Sequence, residues 1–150
     1  MPGQRPVRKA GGLIQSPIPR TFGIRYLEWG PGWLEGEFKP APRFANASGF
    51  VQGGVLSVFL DNLMGQSAYT LAGAGQVLST AEMSLHYLEP APLGLLKGSA
   101  RVVKRGRQIF FVEGEVRDSE GRPLVRARAT LLVLKGAPPV PGLAAGPETG

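Results

Sequence analysis

The chain has 150 residues and a mass of 15.9 kDa, with 43% hydrophobic residues, 19% charged residues, no cysteine and one histidine, His86. It is long enough to bury about 68–70% of its unfolded surface as one domain. Thiolate zinc sites, iron–sulfur clusters and cysteine nucleophiles are excluded, no apolar run approaches the ~20 residues that cross a bilayer, and neither metal nor cofactor is expected. The formal charge is +6. Arg5, Arg8 and Lys9 lie in the N-terminal tail, however, and the remaining cations alternate with Glu35, Glu37, Glu113, Glu115 and Asp118. A small anionic ligand fits that distribution; nucleic acid and membrane are not expected as partners.

Residues 1–12 and 136–150 are Gly/Pro-bearing and lack apolar periodicity, so both are expected to be flexible tails around a domain at 13–135. The opening MPGQRPVRKAGG has no apolar segment behind it, which predicts no secretory signal and a cytoplasmic location. Phe22 to Glu28 and Trp33 to Lys39 alternate around Gly30-Pro31-Gly32 and predict a hairpin. A loop over Pro40 to Gly49 leads to a helical period from Gly53 to Leu71, ended by Gly73 to Gly75. Strands then return. From Val77, alternation sets Met83, Leu85 and Tyr87 on one face and Thr80, Glu82, Ser84 and His86 on the other. Three further strands run near Leu96 to Arg105, Gln108 to Asp118 and Leu124 to Lys135. The predicted class is α+β, with one long helix and an antiparallel sheet of about six strands.

The helix carries the functional signal. From Phe44 to Ala81, a stretch of 38 residues, the only charged side chain is Asp61. Its apolar stripe (Val55, Leu56, Phe59, Leu60, Leu63, Met64 and Leu71) opposes Gly54, Ser57, Asp61, Gly65 and Ala68. That face is too small and uncharged to meet water, so both sides of the helix are expected to be covered. A carboxylate there is either tied into a structural hydrogen-bond network or exposed to a ligand cavity. Gln52-Gly53-Gly54 opens the helix with unobstructed N–H groups at the positive end of its dipole, a donor site for an acyl carbonyl or a developing oxyanion.

The stretch NASGFVQGGVLSVFLDNLMGQSA, followed by LSTAEMSLHYLEPAPLGLLKGSARVVKRGRQIFFVEGEVRDSEGRPLVRARATLLVL, resembles the hotdog-fold acyl-CoA thioesterases of the phenylacetate-pathway type over roughly Asn46 to Leu134. The resemblance implies a helix wrapped by a curled sheet, and a homodimer, arranged as a dimer of dimers, with active sites between subunits. It implies that Asp61 attacks the thioester or activates water, that the Gly53 N–H and the Asn46 amide meet the carbonyl, and that Thr80 places the water. Asn46 and Gly53 would come from one subunit and Asp61 and Thr80 from the other. Gln52 and Gly54 fall in the substrate-binding turn, where Gln52 replaces the histidine of the family's HGG motif with a side chain that cannot titrate near neutrality. Lys104, Arg105 and Arg107 cluster at one strand connection where coenzyme A phosphates could bind. Val51, Val58, Met64, Tyr69 and Leu78 are candidates to line the acyl pocket. His86 is expected at the surface, which disfavours the dehydratases of this fold. The rival reading is a non-catalytic acyl-CoA binding or sensing module.

Overall fold

The structure, a computed structural model, describes residues 13–73 and 75–135; the two expected tails lie outside the described residues. A short helix α1 (Ile18–Phe22) precedes the hairpin β1 (Ile24–Gly30) and β2 (Trp33–Phe38), and a 3-10 turn (Pro42–Phe44) leads to the long helix α2 (Gly53–Tyr69). Four strands follow: β3 (Val77–Tyr87), β4 (Leu96–Arg105), β5 (Ile109–Arg117) and β6 (Pro123–Leu134). They form one six-stranded sheet in the order β1-β2-β4-β5-β6-β3. Every neighbouring pair is antiparallel. The α+β hotdog arrangement expected from the sequence is therefore present, with β1 and β3 at the sheet edges.

Three local readings are corrected. Phe22, expected to open the first strand, instead ends a short helix: Pro19 tolerates its first turn, where N–H groups lack acceptors, and Gly23, at φ +80°, ends it by donating its N–H to Pro19 O at 2.8 Å. Helix α2 stops at Tyr69 with Thr70 as its C-cap, short of Leu71. A Cβ added at Gly32 would lie 3.0 Å from Leu71 Cδ1, so Leu71 packs against the β1–β2 turn instead of extending the stripe. Ala68, expected on the small open face, is fully buried with Ser67 and Gln66 beside it. Periodicity cannot tell a core alanine from a surface one when it lies at the edge of the stripe.

Packing of α2 into the sheet fixes the fold. Leu56, Phe59, Leu60, Leu63 and Met64 are buried against the concave face. The strands meet them with glycines. A β-carbon at Gly98 of β4 would lie 2.5 Å from Leu63 Cδ1 and 2.6 Å from Phe59 Cζ. At Gly36 of β2, the register partner of Gly98, it would lie 2.9 Å from Leu63 Cδ2. At Gly114 of β5 it would meet Leu60 and Met64 at 3.0 and 3.1 Å. Glycine weakens a strand through lost side-chain packing and higher unfolded-state entropy, but here it lets the helix sit against the backbone of the sheet. Gly98→Ala should consequently destabilise the protein by about 1–3 kcal/mol, as overpacking does. The expected readout is a lower urea midpoint with unchanged slope; an unaltered midpoint would show that the helix does not approach β4 this closely.

Candidate active site

Helix α2 runs antiparallel to the edge strand β3 and is tied to it by three side chains. At its end, the Tyr69 hydroxyl donates to Leu78 O at 3.0 Å and accepts the Leu78 N–H at 2.8 Å. At its middle, Thr80 Oγ1 donates to Asp61 Oδ1 at 2.8 Å. At its start, the Tyr87 hydroxyl donates to Gly53 O at 2.8 Å. These contacts divide the predicted residues into two groups.

The first group is built by the loop before the helix. Asn46 Oδ1 accepts the N–H groups of Ser48 and Phe50 at 3.0 and 3.1 Å, and the Asn46 N–H donates to Phe50 O at 2.6 Å. Gly49, at φ +84°, lets the loop turn back on itself, and an Ala45–Val51 bridge closes it. The Asn46 carboxamide oxygen is thus committed to the loop, and its NH₂ is the end a ligand can use. Gln52 is next. Its N–H donates to Phe44 O at 2.9 Å, and its carbonyl accepts the first helical N–H groups, those of Val55 and Leu56. The exposed Gln52 side chain makes no cap bond. Gly53 and Gly54 therefore begin α2 with N–H groups that have no acceptor inside the helix.

The second group is Asp61 with Thr80. Asp61 is exposed in the single chain, with Oδ1 held by Thr80. Strict alternation placed Thr80 on the outward face with Glu82, Ser84 and His86; the structure corrects this. A register shift between Thr80 and Glu82 inserts Ala81 as an extra residue, so Thr80 pairs with buried Leu131 and faces the helix. Glu82, Ser84 and His86 keep the outer face. A bulge re-aims one side chain without moving the strand, and no residue type announces it.

The cation cluster sits at the far end of the sheet. Lys104, Arg105 and Arg107 are exposed, and none joins an ion pair among the described residues. The Arg105 guanidinium lies 5.8 Å from the Phe110 ring centroid. The register Arg105–Phe110–Leu131–Thr80 runs across β4, β5, β6 and β3, about 14 Å at the usual strand spacing. Arg105 therefore shares Thr80's row, three strands away.

Among the proposed pocket residues, only Val58 and Tyr69 remain partly open. Met64 is fully buried under the sheet, and Val51 and Leu78 are buried too. Tyr26 is an unforeseen neighbour: its hydroxyl donates to Asn62 Oδ1 at 2.5 Å, and burial pushes its pKa up. Gln66, one turn on from Asn62, holds Ile14 through both its amide atoms, at 2.9 and 2.7 Å. A groove of about 1070 Å³ lies on the opposite, outer face of the sheet, lined by Glu35, Arg101, Glu113, Arg126 and Arg128. Its acids and cations pair across strands, as in Arg126–Glu115 at 3.1 Å and Arg101–Glu113 at 3.7 Å, so it is a solvated ionic surface remote from Asp61. Among the described residues no cluster could hold a metal ion.

A sequence profile of the thioesterase superfamily matches residues 48–125. A phenylacetic acid degradation-related protein from Ralstonia eutropha JMP134 has the same architecture, with 32% identity over 80% of this chain and 92% of its own and a TM-score of 0.75. The PaaI protein of Escherichia coli superposes with a TM-score of 0.76 at 16% identity, over 82% of this chain and 88% of its own. A thioesterase protein of Streptococcus pneumoniae solved with coenzyme A superposes with a TM-score of 0.69 at 23% identity, over 74% and 85%. The chain belongs to the thioesterase superfamily and is a thioester hydrolase. Thr80→Val keeps a β-branched strand residue and removes the hydrogen bond from Thr80 to Asp61. It should lower kcat for thioester hydrolysis by about tenfold, or about 1.4 kcal/mol, at unchanged thermal midpoint. A rate equal to wild type would show that Asp61 needs no such orientation.

Proposed function

We propose that the protein hydrolyses the thioester of a small aryl- or acyl-CoA at a site shared by two copies of the chain. One observation carries the sharing. Gly53 and Asp61 lie on one straight helix, eight residues and about 12 Å apart. A carbonyl held at about 3 Å from the Gly53 N–H is out of reach of the same chain's Asp61 carboxylate. A second helix packed antiparallel brings the start of one to the middle of the other.

The surfaces that would meet support this reading. Among the described residues, strand β3 has one neighbour, β6, and its other edge is open over eleven residues that include neither Pro nor Lys. Natural proteins rarely leave such an edge unprotected. Along α2 the open arc is Gly54, Val58, Asp61, Asn62, Gly65 and Tyr69, a stripe of small and uncharged residues around one acid. Antiparallel pairing of β3 with its copy about Met83 and Ser84 would set Thr80 opposite Tyr87 of the partner subunit. Thr80 carries Asp61 and Tyr87 carries Gly53, so each end of the two-fold would hold one site.

In that site the Gly53 N–H and the Asn46 NH₂ polarise the thioester carbonyl. Asp61, steered by Thr80, either attacks the carbonyl carbon or takes a proton from the attacking water. The tetrahedral oxyanion is held at the positive end of α2 and collapses with cleavage of the C–S bond, releasing the thiolate, which takes up a proton from water; where Asp61 attacked, water then hydrolyses the acyl–Asp61 anhydride and frees the acid, and where water attacked, the acid is released directly. Coenzyme A supplies phosphates that Lys104, Arg105 and Arg107 are placed to meet; the S. pneumoniae relative was solved with coenzyme A. Gln52 can position this turn by hydrogen bonding but cannot donate a proton to the leaving thiolate, and that one position favours the second reading, an acyl-CoA binding module.

Purified protein assayed on a panel of acyl-CoA esters with a thiol-trapping dye separates the two. Hydrolysis is expected, and Asp61→Ala should lower kcat by about 10²–10⁴-fold with the dimer intact. Binding without turnover, or turnover indifferent to Asp61→Ala, would replace the hydrolase assignment.

A further inference from the structure

We infer that Tyr87 is a positioning residue for thioester hydrolysis: its hydroxyl clamps the Gly53 carbonyl and thereby holds the oxyanion-binding turn in place. The inference rests on the proposed role of the Gly53 N–H.

The turn has one hold from the helix itself, the Gln52 carbonyl on the Val55 and Leu56 N–H groups, and no side chain of its own adds to it. Helix α2 begins without a side-chain cap, its N-cap Gln52 makes no such bond, and its first turn contains no acidic residue. It opens instead with two glycines, the residues with the widest backbone freedom. A donor aimed at a developing oxyanion stabilises it only if its direction is fixed before the charge appears. On the chain side, the Gln52 N–H is fixed to Phe44 O at 2.9 Å. On the helix side, Tyr87 provides the matching anchor, with its hydroxyl 2.8 Å from Gly53 O. The peptide between Gln52 and Gly53, which carries the N–H in question, thus lies between two tethers.

The ring is seated as well as the hydroxyl. A β-carbon at Gly53 would lie 3.3 Å from Tyr87 Cζ and 3.4 Å from Cε1, so the ring rests on the glycine backbone, where a side chain would crowd it. The base of Tyr87 is rigid. It pairs with Val125 of β6, and the N–H groups of Leu88 and Glu89 both donate to Leu124 O, at 2.8 and 3.3 Å. Tyr87 is 51% exposed in the single chain, so burial against its own chain does not account for its position. Partial burial pushes its pKa up from 10.0, which keeps the hydroxyl a donor throughout the neutral range.

Tyr87→Phe tests this, because it removes the hydroxyl and keeps the ring. The variant should lose about tenfold in kcat with KM within about twofold, at an unchanged thermal midpoint. Backbone ¹⁵N order parameters at Gly53 and Gly54 should fall from the rigid range, about 0.85, toward the flexible range below about 0.6, while the rest of α2 stays rigid. A purely structural tyrosine would lower the thermal midpoint and leave the kcat-to-KM split and those two glycines unmoved. Unchanged kcat and rigid glycines in Tyr87→Phe, alongside an inactive Asp61→Ala, would overturn the clamp and leave the hydrolase intact. Absence of any acyl-CoA turnover by the wild type would overturn the hydrolase reading and, with it, the catalytic role of Tyr87; the order parameters, which need no substrate, report separately whether the hydroxyl holds the turn.

Discussion

A sheet can close around a helix only where it gives up side chains to the contact, and everything else in this molecule follows from that concession. Gly36 and Gly98 face each other across β2 and β4, and Gly114 lies on β5, all under the buried stripe of α2. Phe59, Leu60, Leu63 and Met64 fill the space that side chains there would take. With its apolar side so engaged, α2 presents one remaining arc, and that arc carries Asp61. The same geometry lays the helix along β3, where Tyr69, Thr80 and Tyr87 fasten its end, middle and start. Core packing and site placement are one arrangement seen from two sides.

The reaction we propose asks of this arrangement a donor and a carboxylate on one carbonyl. The chain provides both, but a helix rise of about 1.5 Å per residue separates them too far to cooperate alone. Sharing between copies is the resolution we propose, and it gives the open β3 edge a partner. It also gives the basic end of the sheet a purpose, since the row from Arg105 to Thr80 leads from an unpaired guanidinium toward the proposed reacting centre. The outer face holds most of the remaining charge in cross-strand pairs, such as Arg25–Glu37 at 2.8 Å, that compensate one another.

Much of this was legible in the residues. Alternation and turn chemistry located all six strands within a few positions, because residue type alternates along the strands and each connection contains Gly or Pro. Asp61 stood out because nothing else near it is charged, and Gly53-Gly54 because two glycines rarely start a helix. What escaped depended on distance in the chain. The bulge at Ala81 turns Thr80 toward the helix through the pairing of β3 with β6, fifty residues apart, and a Thr in a strand carries no trace of it. Tyr87 looked like one more member of an apolar face, since the bond that distinguishes it reaches back thirty-four residues to Gly53. Ala68 was misplaced because a small side chain fits either surface of a helix. Phe22 was read into the first strand, whereas the prolines before it begin a short helix that Phe22 ends, since at the first turn of a helix a missing N–H costs nothing.

Mixing two inactive proteins tests the shared site most directly. Asp61→Ala removes the carboxylate, and Gly53→Pro removes the donor N–H at the first helical position, where the helix asks for no N–H and the extended backbone of Gln52 suits a following proline, although the ring crowds Tyr87. After the two variants are unfolded and refolded together, half of the dimers are hybrids, and each hybrid has one site with both defects and one with neither. The account predicts that activity returns to roughly a quarter of wild type, as random association of a two-fold dimer requires. If the mixture stays as inactive as its components while hybrids form, then Asp61 and Gly53 serve the same chain's site, and the shared-site account is wrong.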